Sequence, residues 1–376
     1  MTTRSTEASG PPSGGQLGPA GIFDMLLAYK NTAVLSAGIE LGVFDALAAG
    51  ATTSSEVAKR QRLDPRGAKL LLNGLAALGL LQPEDHAYRL SAAAEKFLVR
   101  GSPSYIGDMA KVMASKWEWE ALGKLPEAVR HGGTVTAENA ETPDYPYWQD
   151  FAAHAGAVAA PTAELMADVL GPWASRREPL HVLDVACGHG LYGYTLARQQ
   201  PHARIWSLDW PNVLPLARER AIRMGVGDRI TTIAGDMFEL DLGGPYDVVM
   251  ITNVLHHFSE RRASELLRRA AGSMTDDGRI ALVGFTISDA PPAAEAAAHL
   301  FSILMLIWTS EGEVHTESAY ERMLVGAGFS DVTLHPVPAL PLRVIIARRT
   351  AAGSSAELVE PPSGLVVEPG SPAQKP

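Results

Sequence analysis

The stretch HVLDVACGHGLYGYTLA, at residues 181–197, constrains the fold of this chain more than any other. Its apolar start, residues 182–185, predicts a buried parallel strand. Gly188 and Gly190 predict a tight turn, and residues 191–197 predict a helix whose first amides face that turn. Glycines at such a turn let a ligand approach the backbone closely, although an ordinary strand–helix connection has the same pattern.

Three further apolar segments end in polar or acidic residues, as strands of a doubly wound sheet do beside a ligand crevice. They are Ala203–Leu208 before Asp209, Ile230–Ala234 before Gly235–Phe238 (GDMF), and Tyr246–Asn253 before VLHHF. A carboxylate at the tip of the second strand is where a nucleotide ribose is held. An acid beside two apolar side chains, after the third strand, suits an adenine ring. The segments therefore predict an α/β fold with a nucleotide-like ligand at the strand ends.

The combination LDVACGHG, LDWP, AGDMFE and YDVVMITNVLHHFSE resembles the class I methyltransferases that use S-adenosylmethionine. More narrowly, it is similar to the small-molecule O-methyltransferases of plants and bacteria, including the acetylserotonin and caffeic acid types. The resemblance covers roughly Gly21 to Arg348. It implies a Rossmann-like doubly wound domain, preceded by a mostly α-helical winged-helix domain that forms a homodimer.

The resemblance also implies a site for S-adenosylmethionine at the strand ends. The predicted cofactor-binding residues are Asp184, Gly188, Gly190, Asp209, Trp210, Asp236, Met237, Phe238 and Asn253. One departure is Ala186, which stands where the family usually has its first glycine and is expected only to tighten the turn. A dinucleotide such as NAD is an alternative ligand, because Gly188, Gly190 and Gly193 fit the Gly-x-Gly-x-x-Gly spacing.

Methyl transfer to a hydroxyl needs alignment of acceptor, methyl and sulfur, and a base that removes the hydroxyl proton. Histidine suits that task near neutral pH. His256 stands where the resembled family keeps its catalytic histidine, after the fourth strand. The alternative is a histidine that only packs or caps at a strand end.

The surroundings of His256 depart from the resembled family. His257 replaces the acid that usually follows the base, Gly284 aligns with a glutamate of many relatives, and Val314 aligns with a further acid. We therefore expect either that another residue orients the base, with His315 or Glu313 as candidates, or that the acceptor atom is nitrogen or carbon. A homologue that binds the cofactor without methylating is a third alternative. The predicted catalytic residues are His256, His257 and His315.

The histidines at positions 256, 257, 299 and 315 could also suggest a metal site. Adjacent histidines rarely ligate one ion from a strand end, and no carboxylate spacing completes a site. The sequence therefore predicts no catalytic metal.

Aromatic residues concentrate between Ser104 and Trp148 and again in the apolar helix predicted at Ala294–Trp308. Aromatic faces bind flat molecules, although packing between elements explains the same pattern. The predicted pocket for a small, flat acceptor comprises Trp117, Tyr147, Trp148, His299, Phe301, Met305 and Trp308.

The N-terminal region shows the order helix, helix, hairpin, which is a winged-helix layout. Its second helix offers Arg66 and Lys69 but is otherwise mostly apolar, unlike a helix that reads a DNA groove. The net charge of −10 and the absence of a long basic run also argue against a nucleic-acid partner. We therefore expect this region to form a homodimer.

Composition sets the predicted boundaries and compartment. We expect disorder at residues 1–20 and 350–376, a winged-helix dimerisation domain at 21–102, linking and pocket-forming helices at 103–170, and the cofactor domain at 171–349. The chain has one cysteine, Cys187, and hence no intrachain disulfide. No signal core is visible, and the apolar run Leu300–Trp308 is too short to span a bilayer. These features predict a cytoplasmic protein.

Overall fold

The structure is a computed structural model that describes residues 18–288, 290–338 and 340–350. Its contacts divide the chain into a first unit that ends at Ser115 and a second that begins at Lys116. A helix already begins at Pro19, inside the segment predicted to be disordered. The rest of that prediction, at residues 1–17 and 351–376, lies outside the described residues.

The first unit contains six helices and one hairpin among its described residues. These elements are α1 (Pro19–Glu40), α2 (Val43–Ala48), α3 (Ser54–Gln61), α4 (Pro65–Ala77), β1 (Leu81–Glu84), β2 (Ala87–Leu90), α5 (Ala92–Leu98) and α6 (Ala110–Met113). Thr53 starts α3 through a reciprocal capping box with Glu56. Asp64 caps α4, and Pro65 occupies its first position. The helix–helix–hairpin layout predicted from the sequence is therefore present.

Helix α1 carries an apolar surface that the unit does not cover. Within this helix only Gly38 and Ile39 are buried. Its large exposed apolar residues are Ile22, Phe23, Met25, Leu26, Leu27 and Tyr29. A contiguous exposed apolar surface of this kind marks an interaction site.

The described helices do not include one that is long and apolar enough to cross a membrane.

The second unit alternates helices and strands after an all-helical start. Its elements are α7 (Lys116–Gly123), α8 (Leu125–His131), α9 (Tyr147–His154), α10 (Gly156–Ala174), β3 (Leu180–Val185), α11 (Leu191–Gln199), β4 (Ala203–Asp209), α12 (Leu214–Arg223), β5 (Ile230–Ala234), β6 (Tyr246–Thr252), α13 (Glu260–Gly272), β7 (Met274–Phe285), α14 (Ala296–Trp308), α15 (Glu317–Gly326), β8 (Phe329–Pro336) and β9 (Leu342–Arg349). A proline usually stands at the first turn of a helix, and the sequence predicts a helix that starts at Pro161; that prediction is wrong, because α10 begins at Gly156 and contains the proline. The preceding turn is held by other amides, such as that of Ala159, which donates to the Ala155 carbonyl.

Seven strands form one sheet in the order β5-β4-β3-β6-β7-β9-β8. Strands β3 to β7 are parallel, whereas β9 is antiparallel to both β7 and β8. One core cluster packs α10, α11 and α12 on one face of the sheet, and the other packs α13 and α15 on the opposite face. The predicted doubly wound α/β class is confirmed. The strand order reverses between β3 and β6, which places the ligand crevice at their carboxyl ends.

Candidate active site

The turn after β3 depends on two glycines and on one residue that is not glycine. Gly188 and Gly190 have φ of +54° and +71°, and a Cβ on Gly190 would overlap the ring of Tyr194. Ala186 also lies in the left-handed region, with φ of +53°. Alanine therefore accepts here a conformation that favours glycine, at a cost of roughly 1–2 kcal/mol.

Asp209 ties the end of β4 to this turn. Its Oδ2 accepts a hydrogen bond from the Gly188 amide and its Oδ1 accepts one from the Trp210 amide, both at 2.7 Å. The residue is only 8% exposed. Burial, opposed by these two hydrogen bonds, raises the pKa of the Asp209 carboxyl to about 6. Each carboxylate oxygen retains a lone pair that can accept a further donor.

A cavity of about 420 Å³ opens at the carboxyl ends of the parallel strands. Seven of the nine predicted cofactor residues line it, namely Gly188, Asp209, Trp210, Asp236, Met237, Phe238 and Asn253. The other two, Asp184 and Gly190, are outside its lining and shape the loop beneath it. Asp184 is fully buried, and its Oδ2 accepts from the Gly193 amide at 3.3 Å while its Oδ1 has no partner among the described residues. Seven of the nine residues thus lie at one cavity, and their binding of the cofactor stays a prediction.

Several lining residues have no role in the sequence predictions. Inside the glycine turn they include His189 and Tyr192, and the Tyr192 hydroxyl accepts from Asn253 Nδ2 at 3.0 Å. On α13, the Arg262 guanidinium lies over the Phe238 ring, 3.6 Å from its centre. His189 and Tyr192 could have been predicted as lining residues from the sequence, because both lie close to the glycine motif. The sequence offered no such signal for Arg262, because its contact is made between distant segments.

His256 lies in a short 3₁₀ turn, Leu255–His257, that follows β6. It is 2% exposed and is outside the cavity lining. The edge of its ring meets Phe301, with ring centres 4.9 Å apart, and its Nδ1 has no partner among the described residues. Burial, followed by the neighbouring His257 and His315, holds the pKa of His256 well below its usual range. Its imidazole is therefore neutral at physiological pH.

His257 and His315 occupy different surroundings. His257 lines the cavity and stacks on Trp148, with ring centres 5.3 Å apart. Burial lowers the pKa of His257 to about 4. His315 lies outside the lining, and its Nε2 is 3.2 Å from the Leu255 carbonyl, to which it can donate. The three predicted catalytic histidines thus meet around one turn, but only one of them faces the cavity.

The predicted acceptor residues form an aromatic cluster beside the cavity. Trp148 lines the cavity, and its Nε1 donates to the Ala140 carbonyl. The other predicted acceptor residues are outside the lining. Trp117 contacts Tyr145; the ring centres of Tyr147 and Trp308 are 4.5 Å apart, and those of Phe301 and Phe285 are 3.9 Å apart. Met305 is buried, and His299 Nε2 has no partner among the described residues. Their predicted role in acceptor binding stays a prediction. Within the described ranges, no group of three or more His, Cys, Asp or Glu side chains could hold a metal ion.

Comparisons with known proteins identify the family. Residues 166–330 match the O-methyltransferase domain, and residues 23–100 match the O-methyltransferase dimerisation domain. The 3-hydroxy-5-methyl-1-naphthoate 3-O-methyltransferase of Streptomyces sahachiroi is 31% identical, over 84% of this chain and 90% of its own length. The protein in a crystal structure from Nostoc punctiforme is 34% identical to this chain, with a TM-score of 0.82. The match covers 89% of this chain and 100% of the Nostoc chain. The structure of human N-acetylserotonin methyltransferase in complex with S-adenosylmethionine is 25% identical to this chain, with a TM-score of 0.75. The match covers 90% of this chain and 100% of the human chain.

The cavity fits the cofactor that this family implies. Asp209 presents buried carboxylate oxygens that suit ribose hydroxyls, while Asp236, Met237 and Phe238 offer one acceptor and two apolar faces to an adenine. The family decides against the dinucleotide alternative. The chain therefore belongs to the O-methyltransferase family and is a methyltransferase that depends on S-adenosylmethionine.

Proposed function

We propose that this enzyme methylates a hydroxyl oxygen on a small, flat, aromatic natural-product intermediate. The observation that carries the proposal is one cavity whose lining runs from Asp209 and Phe238 to the aromatic side chains of Trp148 and Phe151. Flat aromatic surfaces favour flat ligands. The names of the Streptomyces and human relatives specify an aromatic acceptor, a naphthoate and N-acetylserotonin respectively, which supports this acceptor class.

When bound, S-adenosylmethionine would supply the methyl group of its sulfonium: the O–C bond forms in line as the C–S bond breaks, and S-adenosylhomocysteine leaves as a neutral thioether. The chain's own contribution is first to position, since Gly188, Asp209 and Asp236 fix one end of the cavity and Trp148 bounds the other. The acceptor hydroxyl must also lose its proton. We assign His256 as the general base, because it holds the family position and its neutral imidazole is ready to accept a proton.

His257 is the competing base, favoured by the observation that its ring lines the cavity. The decisive experiment uses methyl-labelled S-adenosylmethionine with hydroxylated naphthoates, phenols, indoles and amines, followed by identification of the methylated atom. We expect His256→Ala to lower kcat by about 10²–10⁴, the range for loss of a general base, while calorimetry with S-adenosylhomocysteine shows unchanged affinity. His257→Ala is the matched control and should lose less.

Three results would overturn parts of this proposal. A label found on carbon or nitrogen would refute O-methylation. Near-full activity of His256→Ala, beside an inactive His257→Ala, would move the base to His257. If both variants retained activity, transfer would depend on alignment alone.

We also propose that the first unit forms a homodimer through α1. The match of residues 23–100 to the dimerisation domain and the exposed apolar surface of α1 support this. The net charge of −10 argues against nucleic acid as the partner. We place the enzyme in the cytoplasm, where a protein whose single cysteine is the buried Cys187 needs no disulfide.

A further inference from the structure

Two buried polar atoms near Gly284, at the end of β7, have no hydrogen-bond partner in the described part of the chain. They are His256 Nδ1 and Tyr320 Oη, and neither finds one among the described residues. The two residues are 2% and 1% exposed. A buried polar group that stays unpaired costs about 1–3 kcal/mol, so two such atoms at one place call for a common explanation.

Both atoms face the same glycine. A Cβ on Gly284 would lie 2.7 Å from Tyr320 Oη and 3.9 Å from His256 Nδ1. The next Tyr320 atom, Cζ, would be 3.7 Å away, which is ordinary contact. The hydroxyl of Tyr320, rather than its ring, therefore occupies the space that a side chain on β7 would need. That space is polar on two sides, which suits a water better than a carbon atom.

The other groups around His256 do not supply a partner for its Nδ1. The ring of His257 meets it edge to face at 4.9 Å, and Phe285 and Phe301 contribute only carbon. The Nε2 of His315 is directed to the Leu255 carbonyl instead. His257 and His315 are the titratable groups that act on His256, and neither bears a negative charge.

We infer that Tyr320 is a positioning residue for His256, acting from α15 through one water beside Gly284. The water accepts a hydrogen bond from the Nδ1–H of His256 and donates one to the Tyr320 hydroxyl oxygen. The proton is thereby kept on Nδ1, and Nε2 remains the nitrogen that can take the proton of an acceptor hydroxyl. This inference rests on the proposed role of His256 as the base.

The chemistry of Tyr320 also sets how basic His256 can be. Burial raises the pKa of the Tyr320 hydroxyl, so the group is a neutral phenol at physiological pH. A neutral partner stabilises the imidazolium less than a carboxylate does. We therefore expect kcat to fall only in acid, below the ordinary histidine value near 6.5.

The test combines two substitutions and a pH profile. Tyr320→Phe keeps the ring and removes the hydroxyl. We expect kcat to fall about 10–100-fold, as when a group that orients a functional histidine is lost. The KM for S-adenosylmethionine and the KM for the acceptor should change little. Tyr320→Phe also leaves room for a side chain on Gly284. In the double variant Gly284→Glu/Tyr320→Phe, a carboxylate beside Nδ1 should recover kcat and move the acid limb of the profile to higher pH.

Each outcome decides a separate question. Tyr320→Phe could retain the wild-type kcat and the acid limb of the wild-type pH profile while His256→Ala is inactive. That result would refute the role of Tyr320 but leave His256 as the base. A double variant that neither recovers kcat nor shifts the acid limb would refute it as well. Full activity of His256→Ala would refute the base itself, and hence the proposed function on which this inference rests.

Discussion

Replacing Asp209 by asparagine should stabilise the cofactor-free enzyme and weaken its binding of S-adenosylmethionine. The Asp209 carboxylate is buried between the amides of Gly188 and Trp210. Burial raises its pKa from 3.8 to about 6, so an ionised Asp209 is disfavoured in the folded chain. Asparagine is a neutral analogue of the protonated acid and removes that cost.

The magnitude follows from the shift in pKa. Each pKa unit corresponds to about 1.4 kcal/mol, so a shift of about two units is roughly 3 kcal/mol above pH 7. The asparagine amide must face one of the two backbone donors, which costs about 1 kcal/mol and leaves a net gain of about 2 kcal/mol. Well below pH 4 the carboxyl is protonated in both folded and unfolded chains, so the gain should shrink as the pH falls below 6 and vanish below the unfolded value of 3.8.

The assay is urea unfolding of wild type and Asp209→Asn at pH 8 and pH 4.5, at one protein concentration, with calorimetry of S-adenosylhomocysteine binding. Affinity should fall by about 1.5–3 kcal/mol, since a charged acceptor of the ribose hydroxyls is lost. Asp236→Asn is the control, because it removes a carboxylate charge from the same cavity at a half-buried position, and it should not raise the free energy of unfolding. An equal loss of stability at both pH values in Asp209→Asn would refute the argument from burial.

Two further predictions concern the glycine turn and assembly. Gly190→Ala should lower the free energy of unfolding by about 2–5 kcal/mol, because its Cβ meets the Tyr194 ring in a left-handed turn. Gly188→Ala should lower it by only about 1–2 kcal/mol, since nothing lies within 4 Å of its Cβ. Equal thermal shifts in the two variants would contradict this. Leu26→Asp on α1 should yield monomers by sedimentation, while Ser55→Asp, at an exposed polar position, should leave the dimer intact. A dimeric Leu26→Asp would place the interface elsewhere.

The cofactor end of the site was predictable from the sequence because its signals are local. Each strand is an apolar run, and the predicted binding residues lie at or directly after its carboxyl end, as Asp209 ends β4. Parallel strands gather these ends at one edge of the sheet, so chain order alone brings distant residues together. The helix starts at Thr53 and Asp64 were predictable for the same reason, since a cap acts on amides two or three residues away.

The acceptor end was less predictable because it is built by packing between segments far apart in the chain. Nothing in the order Leu-His-His-Phe tells which histidine ring turns toward the cavity, and the choice is made by the stack of Trp148 on His257. Likewise, an apolar helix such as α14 shows only that one face is buried. Which of its side chains contacts a ligand depends on the elements packed against it.

Burial acts at both ends of this site, with opposite effects on acids and bases. At the cofactor end it raises the pKa of Asp209 to about 6 and of Asp184 to about 7, so each carboxylate gains from any hydrogen-bond donor that reaches it. At the acceptor end it lowers the pKa of His257 to about 4 and holds His256 well below its usual range, so both rings are neutral. A further donor, added to the two amides that already bond Asp209, therefore stabilises its carboxylate, and a histidine without a proton is the state needed to accept one. Burial thus favours hydroxyl donors at Asp209 and proton acceptance at the two histidines, as the proposed chemistry requires.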